Sequence, residues 1–228
     1  MVKITPARLP FGVILDMDGV LVDSEPFICR AASMMFAEHS LMVKPEDFVP
    51  FVGAGENRYL GGVAAKYGFP LNLERDKRRT YEIYLEIIKG ELQPLPGVPG
   101  FIEECRKNGK KMALATSADD TKVLGTLKEI GLPPDSFEAM VTGSNVTRKK
   151  PDPEIFLAAA RNLGLDARDC LVVEDALNGV VAAKRSGARC LALTTSFSRK
   201  ELISVGADWC AENLANTPDG VLFWHQKL

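Results

Sequence analysis

The chain has 228 residues, of which 46% are hydrophobic and 25% are charged, and its formal net charge is -2. This length suits one core domain with an insertion, and the balanced charge favours neither a nucleic-acid partner nor a membrane surface. The five cysteines are scattered and form no Cys-x-x-Cys pair, so neither a disulfide framework nor a zinc site is predicted.

Five short aliphatic runs predict buried strands, beginning close to the N-terminus. These runs are 12–16, 111–116, 139–143, 170–175 and 189–194. Helical stretches separate the last four runs, at 119–130 with Asp119 as N-cap, at 153–163 and at 176–186. Strands that alternate with helices in this way predict an α/β fold with a Rossmann-like, doubly wound parallel sheet.

The alternation stops between residues 24 and 92, which contain helical patterns and no comparable strand. Helices are predicted there at 26–40, 56–67 and 73–90. Proline-containing turns mark both ends of this segment. We therefore predict a core domain formed by residues 1–23 and 93–228, and an inserted α-helical cap domain at 24–92.

Polar side chains follow three of the predicted strands, and one more lies in a loop at the same edge of the sheet. They are Asp16, Asp18, Thr116, Ser117, Lys150, Glu174 and Asp175. In an open parallel sheet, ligands bind beyond the carboxyl ends of the strands. Several carboxylates beside a lysine and hydroxyl groups form a site for a hard divalent cation and an anionic oxygen ligand.

Each of these residues also has a purely structural interpretation. An Asp-Gly turn accounts for Asp18, a helix cap accounts for Thr116 or Asp175, and a solvated basic loop accounts for Lys150. For a single residue the structural interpretation is favoured. Their coincidence at one edge of one sheet favours a functional site.

Four segments in chain order resemble the four motifs of the haloacid dehalogenase superfamily. They are "DMDGVLVDSE", "ATSAD", "KKPDPEIF" and "VVEDALNGVVAAKRSGA". The helical insertion directly after the first motif is similar to the cap of β-phosphoglucomutase-like and CbbY-like members. The resemblance implies a phosphatase dependent on Mg²⁺ that hydrolyses a small phosphorylated metabolite, with a sugar phosphate as the first expectation, through an aspartyl-phosphate.

The resemblance implies roles for the acidic residues of the motifs. Asp16 is then the nucleophile, and Asp18 is the general acid and base. The expected Mg²⁺ ligands are the Asp16 carboxylate, the main-chain carbonyl of Asp18 and Asp175, with help from Glu174.

The remaining motif residues are implied to bind the phosphoryl group. Lys150 neutralises charge on the nucleophile and the phosphoryl oxygens, and Thr116 donates a hydrogen bond to a transferring oxygen. Backbone N–H groups near Ser117 are expected to donate to the same oxygen. Gly19 permits the tight turn after Asp18. Lys150 and Thr116 are therefore expected to be catalytic as well as phosphate-binding.

Substrate specificity is expected from loops of the cap that face the site. The candidates are Glu25, Phe27, Glu56, Asn57 and Arg58. Arg58 has two interpretations: it grips a second phosphate or a carboxylate of the substrate, or it is an exposed arginine at a helix start.

Two other functions stay open at this point. β-Phosphoglucomutases of this group carry a histidine at the start of the cap, where this sequence has Phe27 and Ile28. This difference favours hydrolysis over a phosphomutase, and a phosphate-binding domain without turnover is the further alternative. No nucleic-acid or membrane partner is expected, and a monomer is predicted.

The N-terminal apolar run, residues 11–15, is too short for the core of a signal peptide. We therefore expect a cytoplasmic protein, and an organelle location after removal of a targeting peptide stays open.

Overall fold

The computed structural model describes residues 11–53 and 55–226, and only the backbone for residues 224–226. A six-stranded parallel sheet forms its centre. The strands are β1 (Gly12–Leu15), β2 (Lys111–Ala115), β3 (Ala139–Val141), β4 (Cys170–Glu174), β5 (Arg189–Leu193) and β6 (Trp209–Ala211). Their order is β3-β2-β1-β4-β5-β6, so the carboxyl ends of β2, β1 and β4 lie side by side at one edge.

Helices pack on both faces of this sheet and also form the insertion between β1 and β2. They are α1 (Glu25–Glu38), α2 (Glu56–Lys66), α3 (Leu73–Ile87), α4 (Val98–Lys107), α5 (Asp120–Glu129), α6 (Glu154–Asn162), α7 (Leu177–Ser186) and α8 (Arg199–Ser204). Successive residues of β1 point to opposite faces: Val13 and Leu15 join the apolar cluster under α4 and α5, and Ile14 joins the cluster under α6 and α7. The predicted α/β fold with a doubly wound parallel sheet is confirmed.

Helices α1, α2 and α3 form the insertion between β1 and β2. Helices α1 and α3 pack against each other, and α3 also packs against α5 of the sheet layer. The two connecting segments run side by side, joined by an antiparallel bridge between Val22 and Pro94. The domain boundaries at 24 and 92 stay a prediction, and residues 1–10 of the predicted core domain lie outside the described residues.

None of the helices in the described part of the chain has both the length and the apolar character that crossing a membrane requires.

Candidate active site

A tight turn follows β1 and holds two aspartates at the edge of the sheet. The Met17 carbonyl accepts the amide of Leu21 at 2.8 Å, and the Gly19 amide donates to the Val22 carbonyl at 2.7 Å. Gly19 has a φ of +72°, and a Cβ at this position would overlap the Asp175 carboxylate. Glycine is therefore required at position 19 for two reasons: the positive φ of the backbone and the close approach of the Asp175 side chain.

Four charged side chains meet beyond the ends of β1 and β4, and we call them the carboxylate cluster: Asp16, Lys150, Glu174 and Asp175. Oxygen atoms of the three carboxylates lie within 4.8 Å of one another, and all three residues are buried. The Lys150 Nζ lies 2.5 Å from Glu174 Oε1 and 3.1 Å from Asp16 Oδ1. The structure therefore brings together all four of these residues, which the sequence predicted to lie at one edge of the sheet.

Glu174 differs from the other two carboxylates because both of its oxygens are already engaged. Oε1 pairs with Lys150, and Oε2 accepts the amides of Asp175 at 2.8 Å and Ala176 at 2.9 Å. A Cβ on Gly179 would overlap this carboxylate, so α7 begins close against it. Glu174 thus holds the lysine and the start of α7 in place.

The cluster contains three carboxylates for one lysine, and burial together with the neighbouring negative charges raises the pKa of both aspartates. Burial raises the pKa of Asp16 to about 7; Lys150 opposes this, and Glu174 and Asp18 add to it. Burial, followed by Glu174 and Asp16, also raises the pKa of Asp175 well above its ordinary value. A divalent cation would stabilise the ionised forms of these groups.

These residues fit a magnesium ion. Asp16 Oδ1 is buried and accepts no hydrogen bond of good geometry, although the lysine ammonium is near it. Asp16 and Asp175 offer the hard oxygen donors that Mg²⁺ prefers.

The end of β2 contributes Thr116 and Ser117 to the same cleft. Thr116 is buried, and its hydroxyl accepts the Ala118 amide at 3.2 Å. The N-cap position of α5 belongs to Asp119, as predicted, but its side chain makes no capping hydrogen bond. It pairs instead with Lys77 of α3 at 2.5 Å, which ties the start of α5 to the cap.

Asp18 faces a second group of charges, separate from the carboxylate cluster. Its Oδ1 accepts a hydrogen bond from Ser24, and its Oδ2 lies 3.0 Å from the Nζ of Lys122 on α5. The same Nζ lies 3.4 Å from Glu56 Oε1 at the start of α2, and the Lys122 side chain is only 4% exposed. A single buried ammonium group therefore joins the turn after β1 to the cap.

Lys122 was not predicted from the sequence, although a signal is present. Helix α5 buries Lys122, Val123, Thr126 and Leu127, which form one stripe at helical spacing. A lysine on the buried face of an amphipathic helix needs a charged partner, and burial opposes its charge. Asp18 and Glu56 more than offset this burial and raise the pKa of Lys122 above its ordinary value.

A cavity of about 430 Å³ lies between the sheet edge and the cap. Of the five predicted specificity residues, Glu25 and Glu56 line it, whereas Phe27, Asn57 and Arg58 do not. Asn57 and Arg58 are exposed, and Phe27 packs against the apolar cluster of the core. We call Asp18, Asp23, Glu25, Glu56 and Lys122 the cap-side wall of this cleft.

Glu25 is the first residue of α1 and lies within the cap-side wall. Its Oε1 accepts the Tyr59 hydroxyl at 2.5 Å. Burial raises the pKa of Glu25 to about 7, while the hydrogen bond from Tyr59 and the charge of Lys122 oppose this rise. Burial therefore favours the neutral form of Glu25 inside the cleft.

Two hydroxyl residues after β5 also reach the site and were not predicted. The Thr195 hydroxyl donates to the Gly19 carbonyl at 2.6 Å, and the Ser196 hydroxyl donates to Asp175. Ligands bind beyond the carboxyl ends of parallel strands, and the same rule applied to the end of β5 would have found Thr195 and Ser196.

Comparison with known proteins agrees with the family resemblance of the four sequence motifs. A family model for haloacid dehalogenase-like hydrolases matches residues 12–187. The chain is 41% identical over 209 residues to Protein SUPPRESSOR OF QUENCHING 1, chloroplastic, of Arabidopsis thaliana, and the match covers 90% of this chain and 20% of that protein. It is 33% identical to Phosphorylated carbohydrates phosphatase of Thermotoga maritima, with 77% and 81% of the two chains covered.

Among solved structures, CbbY from Rhodobacter sphaeroides, as a mutant in complex with xylulose-(1,5)bisphosphate, superimposes with a TM-score of 0.82. Its sequence is 25% identical, and the match covers 91% of this chain and 96% of that chain. The family model covers most of the chain, including the turn after β1, the ends of β2 and β4, and α7. This chain belongs to the haloacid dehalogenase-like hydrolases.

Proposed function

We propose that this protein is a magnesium-dependent phosphatase that hydrolyses a small phosphorylated metabolite through an aspartyl-phosphate on Asp16. The observation that carries the proposal is the convergence of Asp16, Asp18, Lys150 and Asp175 on one cleft of about 430 Å³ beneath the cap. A cleft of this size accommodates a small molecule. The phosphatase name of the Thermotoga relative supports the same reaction class.

In the first half of the reaction, a carboxylate oxygen of Asp16 attacks phosphorus and the bond from phosphorus to the leaving oxygen breaks. Asp18 donates a proton to the leaving oxygen, so the product departs as an alcohol. In the second half, Asp18 takes a proton from a water molecule as the water oxygen attacks phosphorus, and the bond from phosphorus to the Asp16 oxygen breaks. Inorganic phosphate is released and both aspartates return to their starting states.

The proposed acid and base, Asp18, is the less buried of the two aspartates, and its hydrogen-bond partners lie outside the carboxylate cluster. Its two oxygens are held by Ser24 and Lys122, so its carboxyl group is directed into the space between the sheet edge and the cap. A proton donor for a leaving group must occupy this side of the phosphoryl group, opposite the attacking oxygen.

Lys150 and Thr116 are proposed to stabilise negative charge as the phosphoryl group transfers. The Lys150 ammonium lies between Asp16 and Glu174, so it can screen the nucleophile and the incoming phosphoryl oxygens at once. Held by Asp16, Asp175 and the main-chain carbonyl of Asp18, a magnesium ion would neutralise phosphoryl charge and orient the transferring group.

The substrate is proposed to be a free metabolite, with a sugar phosphate as the first candidate. We propose that the protein acts on it as a monomer, in the cytoplasm or, like its chloroplastic relative, in an organelle.

The test is phosphate release with Mg²⁺ or with EDTA, first from p-nitrophenyl phosphate and then from a panel of sugar, polyol and nucleotide phosphates. We expect release that depends on Mg²⁺ and is strongest for one class of the panel. Isomerisation of a sugar phosphate without phosphate release would establish the phosphomutase instead. No turnover of any compound by the folded protein would support the phosphate-binding domain.

A further inference from the structure

The two hydroxyl residues after β5 connect the turn after β1 to Asp175, one of the proposed magnesium ligands. Ser196 Oγ donates to Asp175 Oδ2, and Thr195 Oγ1 donates to the Gly19 carbonyl at 2.6 Å. Thr195 Oγ1 also lies 3.5 Å from Asp175 Oδ2. A hydroxyl group has a single proton to donate, and the closer Gly19 carbonyl takes that of Thr195. Ser196 is therefore the hydroxyl donor of Asp175.

The two oxygens of Asp175 have different surroundings. Oδ2 accepts the Ser196 hydroxyl and is the atom that a Cβ on Gly19 would approach most closely. Both hydroxyl groups approach Oδ2, and among the described residues no hydrogen-bond donor holds Oδ1. Asp175 lines the cleft and is only 5% exposed. A carboxylate oxygen without a donor in such a buried site is available to a cation.

The loop that carries these hydroxyl groups is anchored on both sides by contacts outside the cleft. Before it, the Thr194 amide donates to a carbonyl of β6 at 2.9 Å. After it, Phe197 packs against the apolar cluster under α6 and α7, and Ser198 forms the capping box of α8. Thr195 and Ser196 are exposed, but they lie between these anchors. The fold therefore determines where their hydroxyl groups lie.

The way in which a carboxylate is held affects which cation it binds well. Mg²⁺ requires near-ideal octahedral geometry at short distances, whereas the larger Ca²⁺ takes more ligands and often both oxygens of one carboxylate. A carboxylate whose second oxygen accepts a protein hydrogen bond is restricted to one oxygen for the ion. Hydrogen bonds to metal ligands orient them in this way in many metal sites.

We propose that Ser196 is a positioning residue that sets the metal selectivity of the site. By holding Oδ2, it restricts Asp175 to binding through Oδ1 and favours Mg²⁺ over Ca²⁺. Glu174 does not change this selection, because both of its oxygens are engaged by Lys150 and by backbone amides. The inference rests on the magnesium site of the proposed function and adds a residue that lies outside the four sequence motifs.

The test measures how Mg²⁺ and Ca²⁺ raise the unfolding temperature of the wild type and of Ser196→Ala in the absence of substrate. The concentration dependence of this rise gives an apparent Kd for each ion. In the variant, Oδ2 has lost its donor, so both oxygens of Asp175 can bind the ion. We expect the Kd for Mg²⁺ to increase about tenfold, as for other outer partners of metal ligands, and the Kd for Ca²⁺ to change by less than about threefold.

Three further variants identify the cause. Ser196→Thr keeps the hydroxyl and should retain the wild-type selectivity. Ser204→Ala removes an exposed hydroxyl that donates within α8, and it should change neither Kd. Asp175→Asn gives the stabilisation from ions bound elsewhere, which is subtracted. Equal changes in the two Kd values of Ser196→Ala, no change in either, or the same loss in Ser196→Thr would overturn the proposal. Ser196→Gly replaces Ser196→Ala if the latter does not fold.

Hydrolysis of p-nitrophenyl phosphate separates this inference from the proposed function. Hydrolysis by the wild type that depends on Mg²⁺, together with unchanged selectivity in Ser196→Ala, would reject the role of Ser196 and keep the phosphatase. A wild-type protein that is not stabilised by Mg²⁺ and does not hydrolyse this compound would reject the proposed function, and the inference with it.

Discussion

The two sides of the cleft are built in different ways. The carboxylate cluster stands on neighbouring parallel strands, where the register of Leu15 with Val173 sets Asp16 beside Glu174, and backbone amides hold the glutamate. The cap-side wall is joined by pairs between segments far apart in the chain, such as Lys122 with Glu56. The sheet thus determines the geometry of the proposed reacting centre, whereas packing of the cap on α5 determines the cap-side wall.

The largest effect is expected on the sheet side, from Asp16→Asn. This change keeps the side-chain volume and removes the proposed nucleophile, so turnover should fall at least about a thousandfold. Thermal unfolding should remain close to that of the wild type, because crowding of buried carboxylates is relieved rather than increased. The exposed Asp135→Asn is the control and should keep full activity. Substantial turnover by the Asp16 variant would reject the mechanism.

Gly19→Ala is expected to have the next largest effect, for a geometric reason. The new Cβ would overlap the Asp175 carboxylate and would sit at a φ of +72°. Displacement of this carboxylate should lower kcat/KM about a hundredfold, as small misplacements in active sites do.

Gly131→Ala separates the two causes. Gly131 has a φ of +68°, but nothing lies within 4 Å of a Cβ built there. Both variants should lose about 1–2 kcal/mol of unfolding free energy from the backbone conformation, and only the Gly19 variant should lose activity. Equal activity losses would show that the collision with Asp175 does not matter.

The sheet side was also the side that the sequence could predict. Aliphatic runs located β1 to β5, and the polar residues after β1, β2 and β4 located the carboxylate cluster, because parallel strands bring their carboxyl ends together. Strand β6 was missed because it has only three residues, Trp209–Ala211. Helix α4 was missed because its first turn lies within a proline-rich segment that was interpreted as a linker, although Pro99 is tolerated in a first helical turn.

The residues of the cap-side wall could not be predicted from such rules. Glu25 and Glu56 were predicted to face the substrate, but so was Arg58, whereas the cation that lines this wall is Lys122. Strand ends share an edge by topology, but the approach of α2 to α5 depends on how α3 packs between them. Without that packing, the sequence cannot distinguish an arginine exposed on α2 from a lysine buried on α5.

An intermediate effect is expected from Lys122→Met, which breaks the link between the two sides. Two carboxylates then lose their shared cation, so the free energy of unfolding should fall by about 3 kcal/mol. Release of Asp18 from its position should lower kcat/KM about tenfold. Denaturant titration and steady-state kinetics measure both quantities.

Two further variants define the cause of the Lys122 effect. Lys128→Met changes an exposed lysine on the same helix and should alter neither quantity. Adding Glu56→Gln to Lys122→Met should restore part of the lost stability, because one of the unpaired carboxylates is removed. Additive losses in the double variant would contradict the pairing.

The smallest effect, and the most specific to the cap-side wall, is expected from Glu25→Gln. Burial raises the pKa of Glu25 from 4.5 to about 7, so between these values the folded protein binds more protons than the unfolded chain. Stability conferred by the protonated carboxyl is therefore lost as pH rises from about 4.5 to 7.

Glutamine cannot ionise and still accepts the Tyr59 hydroxyl. In EDTA, the variant should unfold about 3 °C above the wild type at pH 8 and close to it at pH 5. The exposed Glu91→Gln should show no such dependence. A difference of the same size at both pH values would mean that Glu25 stays ionised in the cleft, and the wall would then carry its full negative charge at every pH tested.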